Sequence, residues 1–275
     1  MKKMYFYPIL VVVVSLISGT AIAQNDLRVP LSNPGKAGSL IINAVFSDEI
    51  VVRAHQENDV IVRYDGNKKT DQRDTSRNGM RRISSGGVGL EVTENNNEVI
   101  VKTGPMPSDL ELVVFVPQNF SLKLNATQGD VQIDGLEGEL EINSVNGDIE
   151  LTNISGSVLV NSVNGDIEVD FVRIRENVPM SFTGVNGDIE VAFPANAKFS
   201  AKMKTEWGDV YTNFDMAIDR SSSATEVNNS NSNNKIRNNE KYKVTVNKWV
   251  LGEVNGGGPE FLFKTLHGDI SIRKK

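Results

Sequence analysis

The sequence has no cysteine, only two histidines and two tryptophans, and just 7% aromatic residues in a chain of 275. Without cysteine there is no disulfide framework and no lipidated N-terminal cysteine, so the core must supply stability unaided. His55 and His267 are too few for a histidine-rich zinc site. Long apolar runs are also scarce: beyond Ile17 no stretch approaches the length of a membrane-spanning helix. The formal net charge of −6 argues against a general nucleic-acid binder. No long helical periodicity occurs, and the glycines open strands instead of helices, so neither a phosphate loop nor a dinucleotide fingerprint is present.

What is present is repetition. Asn143-Ser-Val-Asn-Gly-Asp-Ile-Glu150 recurs unchanged as Asn161-Ser-Val-Asn-Gly-Asp-Ile-Glu168, and its second half recurs as Val185-Asn-Gly-Asp-Ile-Glu190. A short identical period marks a solenoid. Gly129, Gly138, Gly147, Gly156 and Gly165 divide each period in two, and apolar residues follow each glycine at alternate positions, as in Leu140 and Ile142 or Ile149 and Leu151. Such alternation places them on one face of a strand. A further apolar residue precedes each corner (Leu136, Val145, Ile154, Val163) and is expected to complete three inward side chains per unit. The prediction is an all-β, single-chain β-solenoid with about 18-residue coils and Asn-Gly-Asp corners, the repeat corners being Gly129, Gly147, Gly165, Gly187, Gly208 and Gly268, each followed by Asp.

In chain order, residues 1–23 read as a signal peptide: Lys2 and Lys3, an apolar stretch from Ile9 to Ile17, then Ala21-Ile-Ala23. This predicts an exported protein (periplasmic, cell-surface or secreted) with no transmembrane anchor after cleavage. Residues 24–37 are expected to be a linker, and residues 38–275 one solenoid domain. Its early strands, Ser39 to Val45, Ile50 to Ala54 and Asp59 to Tyr64, are less regular and read as early coils or a cap. Two insertions, the basic 66–87 and the Ser- and Asn-rich 219–240, are expected to be flexible. The basic one either is a solvated loop or meets an anionic surface. The final His267-Gly-Asp269 returns to the pattern and reads as the last coil.

Chemistry is sparse. Asp130, Asp148, Asp166, Asp188, Asp209 and Asp269 should stack in a column about 4.8 Å apart, with Glu150, Glu168 and Glu190 beside it. A calcium column on Asp130, Asp148, Asp166 and Asp188 is one reading, since calcium takes oxygen ligands from several residues. An acid and base pair on a sugar chain is another. The simpler reading is that each Asp caps its own turn. The calcium-binding nonapeptide pattern is absent, and equivalent carboxylates lack the separated pKa values that catalysis needs. His267 stands where Asn146, Gln128 and Trp207 stand in other coils and reads as a corner residue; Trp207 and Trp249 either stack on sugars or, as the simpler reading, are buried or half-buried packing residues. No catalytic residue, cofactor or metal is therefore expected.

The recurring Val-Asn-Gly-Asp-Ile-Glu, the Val116-Pro-Gln-Asn-Phe120 lead-in and the closing Trp249-Val-Leu-Gly-Glu-Val-Asn-Gly-Gly-Gly258 and Thr265-Leu-His-Gly-Asp-Ile270 resemble the DUF4097 adhesin-like family and the related GIN head-domain proteins. That resemblance implies an exported or envelope β-solenoid without established catalytic residues. The functional expectation is a non-enzymatic interaction or adhesion surface at the bacterial envelope, its partner an unidentified surface, glycan or envelope protein. The alternatives are a periplasmic stress or signalling scaffold, and a polysaccharide-acting enzyme on a β-helix.

Overall fold

Alternating apolar residues separated by Gly, Asn and Asp favour strands over helices, and every regular element described is a strand. The computed structural model describes residues 25–66, 90–104, 110–219, 225–227, 244–246 and 249–275. Among these residues there is no helix, hence none long and apolar enough to cross a membrane. Before the repeats come β1 (Asn25–Pro30), β2 (Ser39–Ala44), β3 (Glu49–His55), β4 (Asp59–Gly66), β5 (Leu90–Asn95), β6 (Glu98–Thr103) and β7 (Leu110–Pro117). The repeats form β8 (Ser121–Ala126), β9 (Asp130–Asp134), β10 (Glu139–Asn146), β11 (Ile149–Ile154), β12 (Ser157–Asn164), β13 (Ile167–Phe171), β14 (Met180–Thr183) and β15 (Ile189–Phe193). After them come β16 (Phe199–Trp207), β17 (Val210–Thr212), β18 (Met216–Asp219), β19 (Thr225–Val227), β20 (Val244–Val246), β21 (Val250–Val254), β22 (Glu260–His267) and β23 (Ile270–Lys274).

Two large sheets share the core. One runs β1-β4-β7-β3-β9-β11-β13-β15-β23-β17, the other β18-β21-β16-β22-β14-β12-β10-β8-β2-β6-β5. Consecutive repeat strands alternate between the sheets, and from β8 to β13 each pairs in parallel with the strand one repeat later. Asn143 lies opposite Asn161, and Ile149 opposite Ile167. One strand from each sheet plus its connection makes a tier, and identical residues of successive tiers stand in columns. Leu140, Ile142, Ile149, Leu151, Val158, Val160, Ile167 and Val169 are all buried between the sheets. Toward the β16 end the filling turns aromatic: Phe193 packs at 5.0 Å from Phe171, 4.9 Å from Phe199 and 5.5 Å from Phe261.

Several expectations need correction. Leu136 and Ile154 are buried, but Val145 and Val163 are each 41% exposed. In β10 the in-out alternation continues unbroken through Ile142 and Ser144, so parity turns Val145 outward and the small Ser144 inward. In β11 the register shifts between Leu151 and Ile154, with Asn153 at φ 55°, and that irregularity returns Ile154 to the interior. The last tier in sequence is not the last in space: β22 lies between β14 and β16, and β23 between β15 and β17. Likewise β2 and β3 lie inside, between β8 and β6 and between β9 and β7. The segment read as a linker contains β1, which pairs antiparallel with β4.

Both ends of the stack switch to antiparallel pairing: β4 on β7 and β5 on β6 at one, β21 on β16 and β18 at the other. Hairpin-like closure of this kind shields the apolar interior where the repeat stops. β1 forms a polar edge there, with Asp26 held by Arg63 at 2.8 Å. The signal peptide and nearly all of the basic insertion lie outside the described residues. So does most of 219–240; β19 falls inside it and pairs antiparallel with β20, which lies beyond its end.

Candidate functional site

The repeats generate rows of side chains on the outer faces, and three rows bear on function. The first is the aspartate column. β10 ends at Asn146 and β11 begins at Ile149, so Gly147-Asp148 is the whole connection. Gly147 and Gly165 have φ of 129° and 128°, which L side chains rarely adopt. A Cβ on Gly165 would also overlap the Gly147 carbonyl, coming within 2.6 Å of its carbon. Gly129, Gly187 and Gly268 share the positive φ; Gly208 does not, but a Cβ there would strike the Gly268 carbonyl.

This tight stacking sets what the aspartates do. Asp130 Oδ1 accepts the Asp148 N–H at 3.0 Å, Asp148 Oδ1 that of Asp166 at 2.9 Å, and Asp166 Oδ1 that of Asp188 at 2.8 Å. The chain of bonds continues from Asp188 to the Asp269 N–H and from Asp269 to the Asp209 N–H, each at 2.8 Å. Each carboxylate thus caps the neighbouring tier, not its own turn as the sequence reading had it. One oxygen of each bonded carboxylate is committed to holding the tiers in register. Beside this column Glu150, Glu168 and Glu190 stand opposite one another, and Arg273 pairs with Glu190 and lies 4.0 Å from Glu168.

The second row is a pair of amide ladders on the other sheet. Asn125 Nδ2 donates to Asn43 Oδ1 at 2.9 Å, Asn143 Nδ2 to Asn125 Oδ1 at 3.1 Å, and Asn161 Nδ2 to Asn143 Oδ1 at 2.9 Å. A second ladder joins Asn146, Asn164 and Asn186 at 2.9 and 2.8 Å. It ends on His267, which stacks on Trp207 with ring centroids 6.2 Å apart and planes 9° apart. His267 is therefore a member of the column, as expected. Trp207 is not a packing residue: it is 72% exposed at the end of the row. Trp249 is half-buried, with Lys202 Nζ 4.9 Å from its ring centroid.

The third row is the one that sequence reasoning missed. Val45, Val145, Val163 and Val185 are exposed in a line beside the first amide ladder. Between the two rows lies a groove of about 580 Å³, lined by Asn43, Asn125, Asn143, Asn161, Thr183 and these valines among others. The signal was available: an apolar residue at an outward parity recurs in four of the five tiers, with Thr127 at the same position in the β8 tier, and is a feature the core does not require.

Among the described residues, one further group of possible ligands comes together. His55, Glu57 and Asp59 offer ligand atoms within 4.8 Å of one another. Arg28 already binds Glu57 at 3.2 Å and Asp59 at 3.0 Å, so this group is an ion-paired cap of β1, β3 and β4. The Arg63 guanidinium holds Asp26 below the usual carboxylate range, two backbone N–H groups from Ser32 and Asn97 do the same for Glu94, and Lys123 does so for Glu141. Tyr211 is raised by the charges of Asp269 and Asp209. Each shift has its own local cause, and no two of these groups form an acid and base pair.

The family profile described as Toastrack DUF4097 matches residues 117–249. That stretch, just under half of the chain, is DUF4097-like. The resemblance drawn from the repeated Val-Asn-Gly-Asp-Ile-Glu therefore holds. Among solved structures, a candidate cell adhesion protein from Clostridium sporogenes is similar over 92% of this chain and 100% of its own, at 14% identity and a TM-score of 0.47. No curated protein matches the chain. The DUF4097 match begins where β7 ends and stops before β21, yet β22 and β23 sit within the stack. The matched repeats are thus completed by tiers from both flanks.

Proposed function

We propose that this chain is an exported, non-enzymatic β-solenoid that serves as an interaction surface at a bacterial cell envelope, with adhesion as its role. The observation that carries this reading is the register of the rows: the same side chain recurs tier after tier on two outer faces. A catalytic site concentrates different groups at one point, with their pKa values driven apart. Here equivalent groups are spread along a line, which suits an extended or repetitive partner. The aspartates, the most enzyme-like residues of the chain, are engaged in holding tiers together.

The test is protease accessibility on intact cells of the source organism, with lysed cells as control, followed by attachment of intact cells with and without the protein. Cleavage on intact cells together with reduced attachment on deletion is the expected result. Protection until lysis would overturn the adhesion role in favour of an internal envelope scaffold.

A further inference from the structure

The groove beside the first amide ladder has a chemistry of its own. Asn43, Asn125, Asn143, Asn161 and Thr183 occupy one column across five successive tiers. The same column continues to Lys102 beyond Asn43 and to Lys264 beyond Thr183. No charged side chain lines the groove between them, although the chain carries 64 charged residues of the Lys, Arg, Asp and Glu types (29 basic, 35 acidic). At a strand spacing of about 4.8 Å the neutral track is about 19 Å long.

A side-chain amide has two N–H donors and an oxygen with two lone pairs. At Asn125 and Asn143 the ladder uses one N–H and one lone pair, so each amide keeps a second N–H and a second lone pair outside the ladder. At Asn143 the second N–H has Glu141 Oε1 at 3.5 Å, too long for a strong bond. A donor and an acceptor together match a hydroxyl, which is itself both; they match neither a phosphate nor an ammonium. The valine row supplies an apolar wall opposite. An added peptide strand is disfavoured, because β2, β8, β10, β12 and β14 are each paired on both sides and offer no free edge.

Accordingly, we propose that this groove binds an uncharged glycan chain lying along the stack, across the strands, with hydroxyls on the amides and C–H faces on Val45, Val145, Val163 and Val185. This rests on the interaction-surface reading and names its ligand class.

The experiment is calorimetric titration of the full mature chain with neutral oligosaccharide series, from disaccharides upward, against acidic polysaccharides and polylysine. Two variants are compared: Val145→Lys with Val163→Lys in the groove, and Glu150→Gln with Glu168→Gln on the opposite sheet. Both valines are 41% exposed, so the first variant leaves the core intact, which circular dichroism and a melt will verify. Expected is binding of a neutral series that strengthens with chain length, weakens about tenfold or more in the groove variant, and is unchanged in the other. Binding unaffected by the groove variant overturns the site. Wild-type protein that ignores every neutral series but still attaches to cells or to a charged polymer overturns the ligand class and leaves the adhesion role standing. Failure to bind any polymer or cell surface overturns both.

Discussion

Replacing Gly165 by alanine tests the tight stacking of tiers directly. Two costs are added. The first is conformational: φ at Gly165 is 128°, and holding an L residue in so sparsely populated a region costs about 1–3 kcal/mol. The second is steric: the new methyl overlaps the Gly147 carbonyl and lies 2.6 Å from its carbon, atoms of a connection held to the next tier by the Gly147 N–H donating to the Asn164 carbonyl. Forcing such neighbours apart costs about another 1–3 kcal/mol by analogy with overpacked cores. The sum is about 4 kcal/mol. Gly256→Ala is the matched control, because Gly256 also has positive φ, 88°, but nothing within 4 Å of an added Cβ. It should lose only the conformational part, about 1–2 kcal/mol. Urea unfolding followed by circular dichroism measures both. If Gly165→Ala costs no more than Gly256→Ala, the carbonyl stacking inferred here is wrong.

Four further outcomes are expected. Asp148→Asn retains an acceptor for the Asp166 N–H and removes a charge from the column, so it should stay within about 0.5 kcal/mol of wild type, whereas Asp148→Ala should lose about 1 kcal/mol in the same urea assay. A chelator should leave the melting temperature unchanged; a drop of several degrees would restore the calcium reading of Asp130, Asp148, Asp166 and Asp188. Phe193→Ala, which empties the centre of the aromatic cluster, should cost about 3–5 kcal/mol by chemical denaturation. Glu94 accepts from the Ser32 and Asn97 backbone N–H groups, and its folded pKa is depressed, so its contribution is present above about pH 4 and is lost as pH falls through its still lower folded value. Protection factors at the Ser32 and Asn97 amides, that is exchange referred to the intrinsic rate at each pH, should fall on acidification in wild type, and Glu94→Gln should abolish that change in protection.

How much of this was legible beforehand follows from what a repeat encodes. Identical strings such as Asn143 to Glu150 and Asn161 to Glu168 fix the spacing of equivalent positions, and parallel pairing in that register follows. The place of β22 and β23 was not legible, because sequence order normally gives spatial order in a repeat. Here the chain passes through β16 and β17 first, then returns to insert the later tier between them and β14 and β15. Nor could the sequence tell which amide an aspartate would cap. The Asp148 carboxylate has its own turn nearby, but the Asp166 N–H is brought equally close only once the glycines let the tiers approach.

The valine row shows why one miss matters more than the others. Counting apolar residues per unit assigned Val145 and Val163 to the core, where Leu136 and Ile154 belong. Strand parity decides differently: with Leu140 and Ile142 inward, position 145 must face out unless an irregularity intervenes, and in β10 none does. Nature had the means to bury it, as the bulge before Ile154 demonstrates on the other sheet. Val145, Val163 and Val185 instead stay outward beside a column of half-satisfied amides, with small Ser144, Ser162 and Gly184 next to them. An outward valine gains little stability, since much of its apolar surface remains in water. A row of them is therefore best explained by something that covers it, and the neutral, hydroxyl-matched wall beside it restricts what that something is.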